Sequence, residues 1–293
     1  MVYKKTLGEK IFTCFNYILL SLLIVVTLYP CYYVLVASMS NPVEISASNG
    51  MLFYPKGFSL SSYVEVIKSS QIWLGYQNTV VYVFVGGFLS VLLTLTAAFA
   101  LTRRGLPGGN LLSFLIMFTM YFNGGIVPTY LVVKSIGLLD SPLAMILVNA
   151  VSAYNLIITM SFFRNMPYSL EEAAKIDGAG DYTVLFRIML PLAKPIIAVI
   201  SLYYMVAIWN NYMTALIYLN SRKYFPLQMI LREIIIQNNT SSVAATGTAG
   251  DAQAYAENLK YAIIVVSTVP ILCVYPFIQK YFVKGVMIGA VKG

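Results

Sequence analysis

The segment from residue 164 to residue 181 reads RNMPYSLEEAAKIDGAGD and separates two long apolar stretches. Pro167 prevents a preceding helix from continuing smoothly. Ser169 and Glu172 have the spacing of a capping box, in which the hydroxyl accepts a backbone N–H bond and the carboxylate reaches back to the cap residue. Gly178 suits a left-handed helix end. The pattern predicts a short helix from Ser169 to Asp177 that is bounded at both ends. From these residues alone it is either a solvated interfacial connector or a helix that docks into a soluble partner.

The rest of the chain is unusually apolar. Of its 293 residues, 59% are hydrophobic and only 10% are charged, whereas a soluble domain has about 25% charged residues. Six stretches approach or exceed the roughly 20 residues that a transmembrane helix needs. We therefore predict an all-α, polytopic membrane protein with six transmembrane helices, which are Ile11–Met39, Trp73–Leu101, Leu111–Val133, Leu143–Phe163, Pro195–Leu219 and Tyr261–Phe282.

The basic residues indicate the orientation of these helices, because Lys and Arg are concentrated in cytoplasmic connections. With the N-terminus inside, the inner segments hold 12 basic and 5 acidic residues, and the outer segments hold 7 and 6. Both termini and the 164–194 connection are therefore predicted to be cytoplasmic. This topology explains the net charge of +8 without a nucleic-acid partner. The first apolar stretch is longer than the 7–15 residues of a signal peptide core, so we expect a retained anchor.

The residue types restrict the possible activities. The sequence contains no histidine, which removes the commonest metal ligand and general base, and we predict no catalytic residue and no metal site. The predicted spans contain almost no ionisable residue, which disfavours a carrier driven by protons or sodium. No G-x-x-x-x-G-K-[ST] nucleotide motif occurs. A membrane-embedded enzyme and a self-sufficient channel or carrier remain as alternatives.

Aromatic and amide side chains at membrane depth are candidates for a substrate path. Aromatic faces and amide hydrogen bonds are the contacts that a hydroxyl-bearing solute needs, and an Asn that faces lipid is costly. For the Asn residues, Asn149 included, the alternative is interhelical hydrogen bonding with a partner subunit, and for the aromatic residues it is ordinary helix packing. The predicted path consists of Tyr121, Phe122, Asn123, Tyr154, Asn155, Trp209, Asn210, Asn211 and Tyr212.

The segment at 164–191 resembles the EAA loop of bacterial ABC importer permeases. Glu172–Ala174, Gly178 and Ile188–Pro191 fill every fixed position of the pattern E-A-A-x3-G-x9-I-x-L-P. This resemblance extends over almost the whole chain and implies the type I ABC importer permease fold, in a bacterial cytoplasmic (inner) membrane.

Other stretches resemble particular branches of that family. Asn78-Thr79, Trp209-Asn210 and the tail Lys284–Gly293 are similar to the carbohydrate-uptake branch, which includes the smaller maltose-transporter permease. Residues 123–129 (NGGIVPT) and 137–142 (GLLDSP) resemble a sub-branch that takes up oligosaccharides from polysaccharide breakdown. The near-neutral outer side favours a neutral sugar, and an acidic sugar stays possible if a partner supplies cations. Import of a non-sugar solute, such as an amino acid or phosphate, is the alternative.

The resemblance also implies the partners. Two ATP-binding cassette ATPase subunits would bind ATP and Mg²⁺, so this chain would hold no cofactor and would not be an enzyme. A second homologous permease and an extracytoplasmic solute-binding protein would complete the complex in the lipid bilayer, with a sugar as cargo. The residues that couple the chain to an ATPase would be Ser169, Leu170, Glu171, Glu172, Ala173, Ala174, Lys175, Ile176, Asp177 and Gly178.

The chain is expected to have three parts. Residues 1–72 would form an N-terminal tail, the first transmembrane helix and an outer loop. Residues 73–283 would form the permease core, with the coupling helix at about 169–178. Residues 284–293 would form a cytoplasmic tail that reaches the ATPase. The stretch Tyr224–Ile236 is expected to form an outer helix near the binding protein or, as the alternative, simply to cap the outer loop.

Overall fold

The computed structural model describes residues 6–46, 51–103, 105–244, 258–274 and 276. Within these ranges the chain is helical and contains no β-strand, which confirms the predicted all-α class. It divides into two units, residues 1–70 with 232–269, and residues 71–231 with 270–293. In chain order the helices are α1 (Leu7–Ser38), α2 (Pro42–Ser46), α3 (Ser61–Lys68), α4 (Ser70–Leu101), α5 (Gly109–Tyr121), α6 (Ile126–Ser135), α7 (Pro142–Leu147), α8 (Ala153–Arg164), α9 (Tyr168–Ile176), α10 (Asp181–Leu192), α11 (Lys194–Trp209), α12 (Met213–Tyr218), α13 (Leu227–Ala244) and α14 (Asn258–Val274).

The first unit is built on the long apolar helix α1. This helix starts at a capping box, in which the Glu9 carboxylate accepts a hydrogen bond from the Thr6 N–H (2.8 Å). Only Val36–Ser38, at its C-terminal end, is buried, and most of the apolar side chains before that are exposed. An apolar surface all around a helix is typical of contact with lipid.

A buried amide fastens the C-terminal end of α1 within this unit. The Asn258 side chain donates hydrogen bonds to the carbonyls of Ala37 (3.1 Å) and Ser40 (2.8 Å). Its oxygen accepts a bond from the Ser62 hydroxyl (2.7 Å). Since each partner is buried, the amide satisfies groups that would otherwise be costly to leave unpaired. It thereby joins α1, α3 and α14.

The helix α4 is central to the second unit. It is 32 residues long and contains one π-helical turn, Tyr82–Gly86. Its buried residues pack with side chains of α8, α9, α10 and α11 in one core. The buried members of this core are Leu95, Ala98, Phe99, Leu156, Met160, Phe163, Ala174, Val184, Leu185, Met189, Ala193, Ile196, Ile200 and Tyr204.

Two helices of the described chain, α1 and α4, are long and apolar enough to cross a membrane by themselves. Two further pairs pass the same test only when each pair is taken together. These are α5 with α6, bent by 119°, and α10 with α11, bent by 83°. The described residues therefore supply two candidate spans, or up to four. The count of six spans and the side on which the termini lie stay predictions.

Three of the predicted spans are interrupted by irregular backbone. The breaks lie at residues 122–125, 148–152 and 210–212. At the first of them Gly125 has a φ of +90°. The sequence prediction treated each of these stretches as one uninterrupted span, although every break contains Asn.

Several predictions fall partly outside the described residues. The last predicted span, Tyr261–Phe282, is described as α14 up to Val274, together with residue 276. The tail at 284–293 lies outside the described part of the chain. A helix is present in the stretch Tyr224–Ile236, where an outer helix was expected, and it begins at Leu227. Its position on the outer side stays a prediction.

Candidate functional site

The short helix predicted between the fourth and fifth spans is present as α9. Its cap residue is Pro167, with φ of −60° and ψ of 119°, and no side chain caps the helix. The predicted capping box of Ser169 and Glu172 is therefore wrong. Ser169 is already the second residue of the helix, too far along to accept the hydrogen bonds of the first turn. The proline, whose φ is fixed, makes the helix begin one residue earlier than predicted.

The C-terminal end of α9 agrees with the prediction. Gly178 has a φ of +80°, in the left-handed region. The Ala179 N–H donates to the Ala174 carbonyl (2.9 Å), and the Gly178 N–H donates to the Lys175 carbonyl (3.0 Å). This pair of bonds is the Schellman motif. A Cβ at Gly178 would meet no atom within 4 Å, so only the backbone conformation disfavours other residues there.

One face of α9 attaches to the core of the second unit. Glu171 is 7% exposed, and its carboxylate pairs with Arg103 and with Lys175 (2.9 Å). Arg103 also lies over the Phe99 ring, with 4.1 Å from Cζ to the centroid, and its Nε donates to the Phe99 carbonyl (3.2 Å). Ala174 is 8% exposed and joins the same core as Phe99. The helix is thus attached next to the C-terminal end of α4.

These contacts determine the charge of the cluster. Burial acts to raise the pKa of Glu171, but hydrogen bonds from Lys175 and Arg103 and their positive charges outweigh it, and the pKa is lowered. The hydrogen bond and the charge of Glu171 raise the pKa of Lys175 in turn. At neutral pH the cluster therefore contains a carboxylate anion between two cations.

The other face of α9 presents apolar side chains to the surroundings. Ile176 is 86% exposed and Leu170 is 40% exposed. Tyr182, near the start of α10, is 83% exposed. Glu172 and Ala173 are exposed beside them. Small and apolar side chains displayed on a firmly attached helix form a surface suited to packing against another protein.

The structure thus separates the predicted coupling residues into two groups. Glu171 and Ala174 are buried and hold the helix in place. The sequence could not distinguish Glu171 from its neighbour Glu172, since only the position of Arg103 decides which carboxylate is buried. The exposed members are Ser169, Leu170, Glu172, Ala173, Lys175, Ile176, Asp177 and Gly178.

Among the predicted substrate-path residues, Trp209 has an unsatisfied polar group. It is 8% exposed, and its ring packs on Tyr76 with 6.2 Å between centroids and 62° between planes. Its indole N–H is buried and has no hydrogen-bond partner among the residues that the structure describes. A buried donor without a partner costs about 1–3 kcal/mol. Among the described residues this N–H is thus an unsatisfied donor in a buried position.

Thr214 joins two of the helix breaks. Its hydroxyl oxygen lies 3.4 Å from Asn149 Nδ2 and 2.8 Å from Asn211 Nδ2, and both amides donate to it. Its backbone N–H donates to the Asn211 side-chain oxygen (3.1 Å). Irregular backbone at membrane depth is tolerated where protein or water covers it. The described contacts of Asn149 and Asn211 are thus hydrogen bonds within this chain, and both sugar contact and bonding to a partner subunit stay predictions.

The remaining path residues occupy different surroundings. Asn210 donates to the Val206 carbonyl of its own helix (3.0 Å). Tyr154 packs against Tyr203 with 6.3 Å between centroids, and Asn155 is buried. The rest are Tyr212, which is half-buried, and Tyr121, Phe122 and Asn123, which are exposed at the end of α5. Their role in substrate passage stays a prediction.

The sequence analysis missed a polar contact at Asp140. This residue has a φ of +53°, and its carboxylate accepts bonds from the N–H groups of Ser221 (2.7 Å) and Asn220 (2.9 Å) and from the Ser221 hydroxyl. Its own N–H donates to the Tyr218 carbonyl (2.8 Å). The bonds from Ser221, with those from Asn220, lower the pKa of this carboxyl. In the sequence, Asp140 is the one acidic residue of the GLLDSP stretch. Its partners Asn220 and Ser221 lie 80 and 81 positions away, so a local pattern does not reveal the contact.

Known proteins resemble this chain over nearly its full length. The family model for the binding-protein-dependent transport system inner membrane component matches residues 72–288. The chain is 42% identical over 285 residues to the polygalacturonan/rhamnogalacturonan transport system permease protein YtcP of Bacillus subtilis (strain 168), covering 97% of this chain and 99% of YtcP. It is 40% identical to the protein LplC of the same organism, covering 98% of this chain and 97% of LplC.

A solved structure has a similar fold. It is a chain in the crystal structure of a bacterial ABC transporter involved in the import of the acidic polysaccharide alginate. The TM-score is 0.86 at 30% sequence identity, and the match covers 96% of this chain and 100% of the other.

Proposed function

Because this chain belongs to the family of binding-protein-dependent transport system inner membrane components and has the type I ABC permease fold, we propose that it is the permease subunit of an ATP-driven importer for oligosaccharides from polysaccharide breakdown. The observation that carries the proposal is α9, a short helix attached to the core by Glu171 and exposing Ile176. Such a helix can receive a force from a partner and pass it to the transmembrane helices.

The ATPase contact is assigned to the exposed side of α9. Ile176 and Tyr182 would enter an apolar groove of an ATPase subunit, and Glu172 would meet a cation there. A second ATPase subunit would bind a homologous permease, and a solute-binding protein would deliver the sugar on the opposite side. In this arrangement the chain moves its cargo without catalysing a reaction.

For the topology, we propose six spans with α9 and both termini in the cytoplasm of a bacterium. The long helices α1 and α4 supply two spans, and the interrupted pairs supply others. Labelling of single cysteines tests this, in a background without Cys14, Cys31 and Cys273, which are free and exposed. A cysteine at Ser169 should react only when the cytoplasmic side is accessible, and a cysteine at Lys56 only from the outside. Reaction of both from one side would contradict the topology.

For the cargo, the relatives favour an acidic oligosaccharide over the neutral sugar expected from the charge distribution. YtcP is named for polygalacturonan and rhamnogalacturonan, and the similar crystal structure is of an alginate importer. Few cations lie in the spans, so the partner subunits would supply most of the positive charge for such a cargo. The indole N–H of Trp209 would donate to a sugar hydroxyl as the cargo passes.

Uptake by the reconstituted importer tests the function. The chain is placed in liposomes with its partner permease, the ATPase subunits and the binding protein. We expect ATP-dependent accumulation of short oligogalacturonides or rhamnogalacturonan fragments, with malto-oligosaccharides as the neutral control. Accumulation by this chain alone without ATP would refute the importer. Uptake of the neutral control only would refute the acidic cargo.

A further inference from the structure

In the proposed topology the C-terminal end of α4 is its inner end and the N-terminal end is its outer end. The inner end is bound to α9 through Arg103. This residue follows the helix by two positions, and its side chain is 17% exposed. Its contacts run in two directions, to the ring and carbonyl of Phe99 in α4 and to the carboxylate of Glu171 in α9. A guanidinium group presents several donors in a rigid plane, so it fixes both the distance and the angle between the two helices.

The outer end of α4 is bound to the segment at 222–227. The Asn78 amide donates to the carbonyls of Lys223 (2.9 Å) and Phe225 (3.0 Å). Lys223 lies within the short 3-10 turn Arg222–Tyr224, and Phe225 directly follows that turn, so the amide holds a connecting stretch of backbone ahead of α13. A single side chain of α4 thereby positions two residues of the outer segment.

Two further hydrogen bonds strengthen the same contact. The buried Thr79 hydroxyl accepts a bond from the Leu227 N–H (2.8 Å), which lies in the first turn of α13. The Tyr82 hydroxyl donates to the Tyr224 carbonyl (2.8 Å). Three side chains within two turns of α4 therefore form hydrogen bonds with the backbone of the same segment, residues 222–227.

No loop interrupts the helix between these ends, although it contains the π-helical turn Tyr82–Gly86. From Asn78 to its last residue, Leu101, it corresponds to roughly 35 Å at 1.5 Å per residue. Its middle packs in the core with α8 and α11. A hydrogen-bonded helix resists stretching, so a displacement at one end is carried to the other rather than absorbed in a loop.

We propose that α4 is a mechanical link between α9 and the outer segment at 222–227, with Arg103 and Asn78 as the positioning residues at its two ends. This inference rests on the proposed function, because the force enters where the ATPase docks. Closure of the ATPase subunits would move the outer segment through α4. A binding protein that displaces the segment at 222–227 would likewise affect the ATPase through α4.

The test compares Arg103→Gln, Asn78→Ala and the double variant in the complete importer in nanodiscs. ATP hydrolysis is measured with and without the sugar-loaded binding protein. We expect each single variant to lower the stimulation by the binding protein about fivefold or more, with hydrolysis in its absence within about twofold of the unmodified importer. Because the two contacts act in series, the double variant should be no worse than the stronger single variant.

A matched control comes from α4 itself. The Thr96 hydroxyl bonds only to carbonyls of its own helix, those of Leu92 (2.9 Å) and Leu93 (3.1 Å). Thr96→Ala should leave the stimulation unchanged. Normal stimulation in both single variants, or losses that multiply in the double variant, would overturn the proposal.

Further variants separate positioning from folding. If Arg103→Gln does not assemble, Arg103→Lys keeps the charge and loses the planar contact, and we expect reduced stimulation with a normal yield of complex. Exchange of the charges in Arg103→Glu with Glu171→Arg should recover part of the stimulation. An unmodified importer that transports no sugar would refute the proposed function, whereas one that transports normally with unaffected variants would refute only the link.

Discussion

The two ends of α4 are fastened by different chemistry. The inner end uses an ion pair between Arg103 and Glu171. The outer end uses neutral hydrogen bonds from Asn78 and its neighbours, together with a close approach of backbone at Gly75. Ion pairs depend on charge state and tolerate small changes of volume, whereas close packing depends on shape. The two ends should therefore respond to different perturbations.

The largest effect is expected from Glu171→Ala, which removes the anion between two cations. Breaking a buried ion pair costs about 3 kcal/mol or more. We expect a lower melting temperature of the purified complex and loss of uptake. The exposed neighbour serves as control, since Glu172→Ala should keep the melting temperature and lose uptake only. Equal destabilisation by the two variants would show that Glu171 has no special place at the inner end.

A slightly smaller effect is expected from Gly75→Ala at the outer end. A Cβ there would lie 2.8 Å from Ile230 Cδ1 and 3.0 Å from Leu227 Cα, and overpacking of this kind costs about 1–3 kcal/mol. The matched control in the same helix is Gly87→Ala, whose Cβ would be 3.6 Å from Met205 Cγ. Thermal melting should show a loss for the first variant and none for the second. A stable Gly75→Ala variant would mean that shape does not control this end.

The next largest effect is expected from Gly178→Val, which tests the backbone conformation at the C-terminal end of α9 without introducing a steric clash. A β-branched residue with φ of +80° should cost about 1–2 kcal/mol. Gly178→Asn should cost less, because Asn tolerates the left-handed region. The measurement is ATP-dependent uptake beside the yield of the complex with the ATPase. If Val and Asn behave alike, the left-handed end is not needed for coupling.

A smaller effect, on sugar uptake, is expected from Trp209→Phe, whose side chain packs against Tyr76 in the outer part of α4. This variant keeps a ring against Tyr76 and removes the unsatisfied indole N–H. The melting temperature should be unchanged or slightly higher. The sugar concentration for half-maximal uptake should rise roughly fivefold, equivalent to one hydrogen bond of about 1 kcal/mol. Unchanged uptake would assign Trp209 to packing.

The smallest effect is the response of the inner end to pH. Because the pKa of Glu171 is lowered from 4.5, its stabilisation is fully present above that value and is lost as the pH falls through the lowered pKa. The raised pKa of Lys175 gives a contribution that is present below 10.5 and lost as the pH rises through the raised value. The melting difference between the unmodified protein and Glu171→Gln should be flat near neutrality and shrink towards acid. A difference that varies between pH 6 and 8 would contradict this assignment.

Much of the fold followed from local pattern. The all-α class came from apolar stretches of membrane length, and the end of α9 came from Gly178. The start of α9 was wrong by one residue, because Ser169 and Glu172 match a capping box that Pro167 makes unnecessary. The breaks at 148–152 and 210–212 were not predicted, because the amides within them, Asn149 and Asn211, are brought together on the Thr214 hydroxyl only by the tertiary structure.

By itself the sequence determined that this protein is an apolar helical chain with one short, firmly ended helix between two spans, because hydropathy, proline and glycine act over a few residues. Only the tertiary structure decided which of two adjacent carboxylates is buried and which side chains hold the outer segment. Those contacts join residues that are 68 to 148 positions apart in the chain. A pattern of neighbouring residues does not indicate which distant residues will come into contact. Which carboxylate is buried depends on the position of Arg103 in the fold, and which backbone carbonyls are held depends on the position of Asn78.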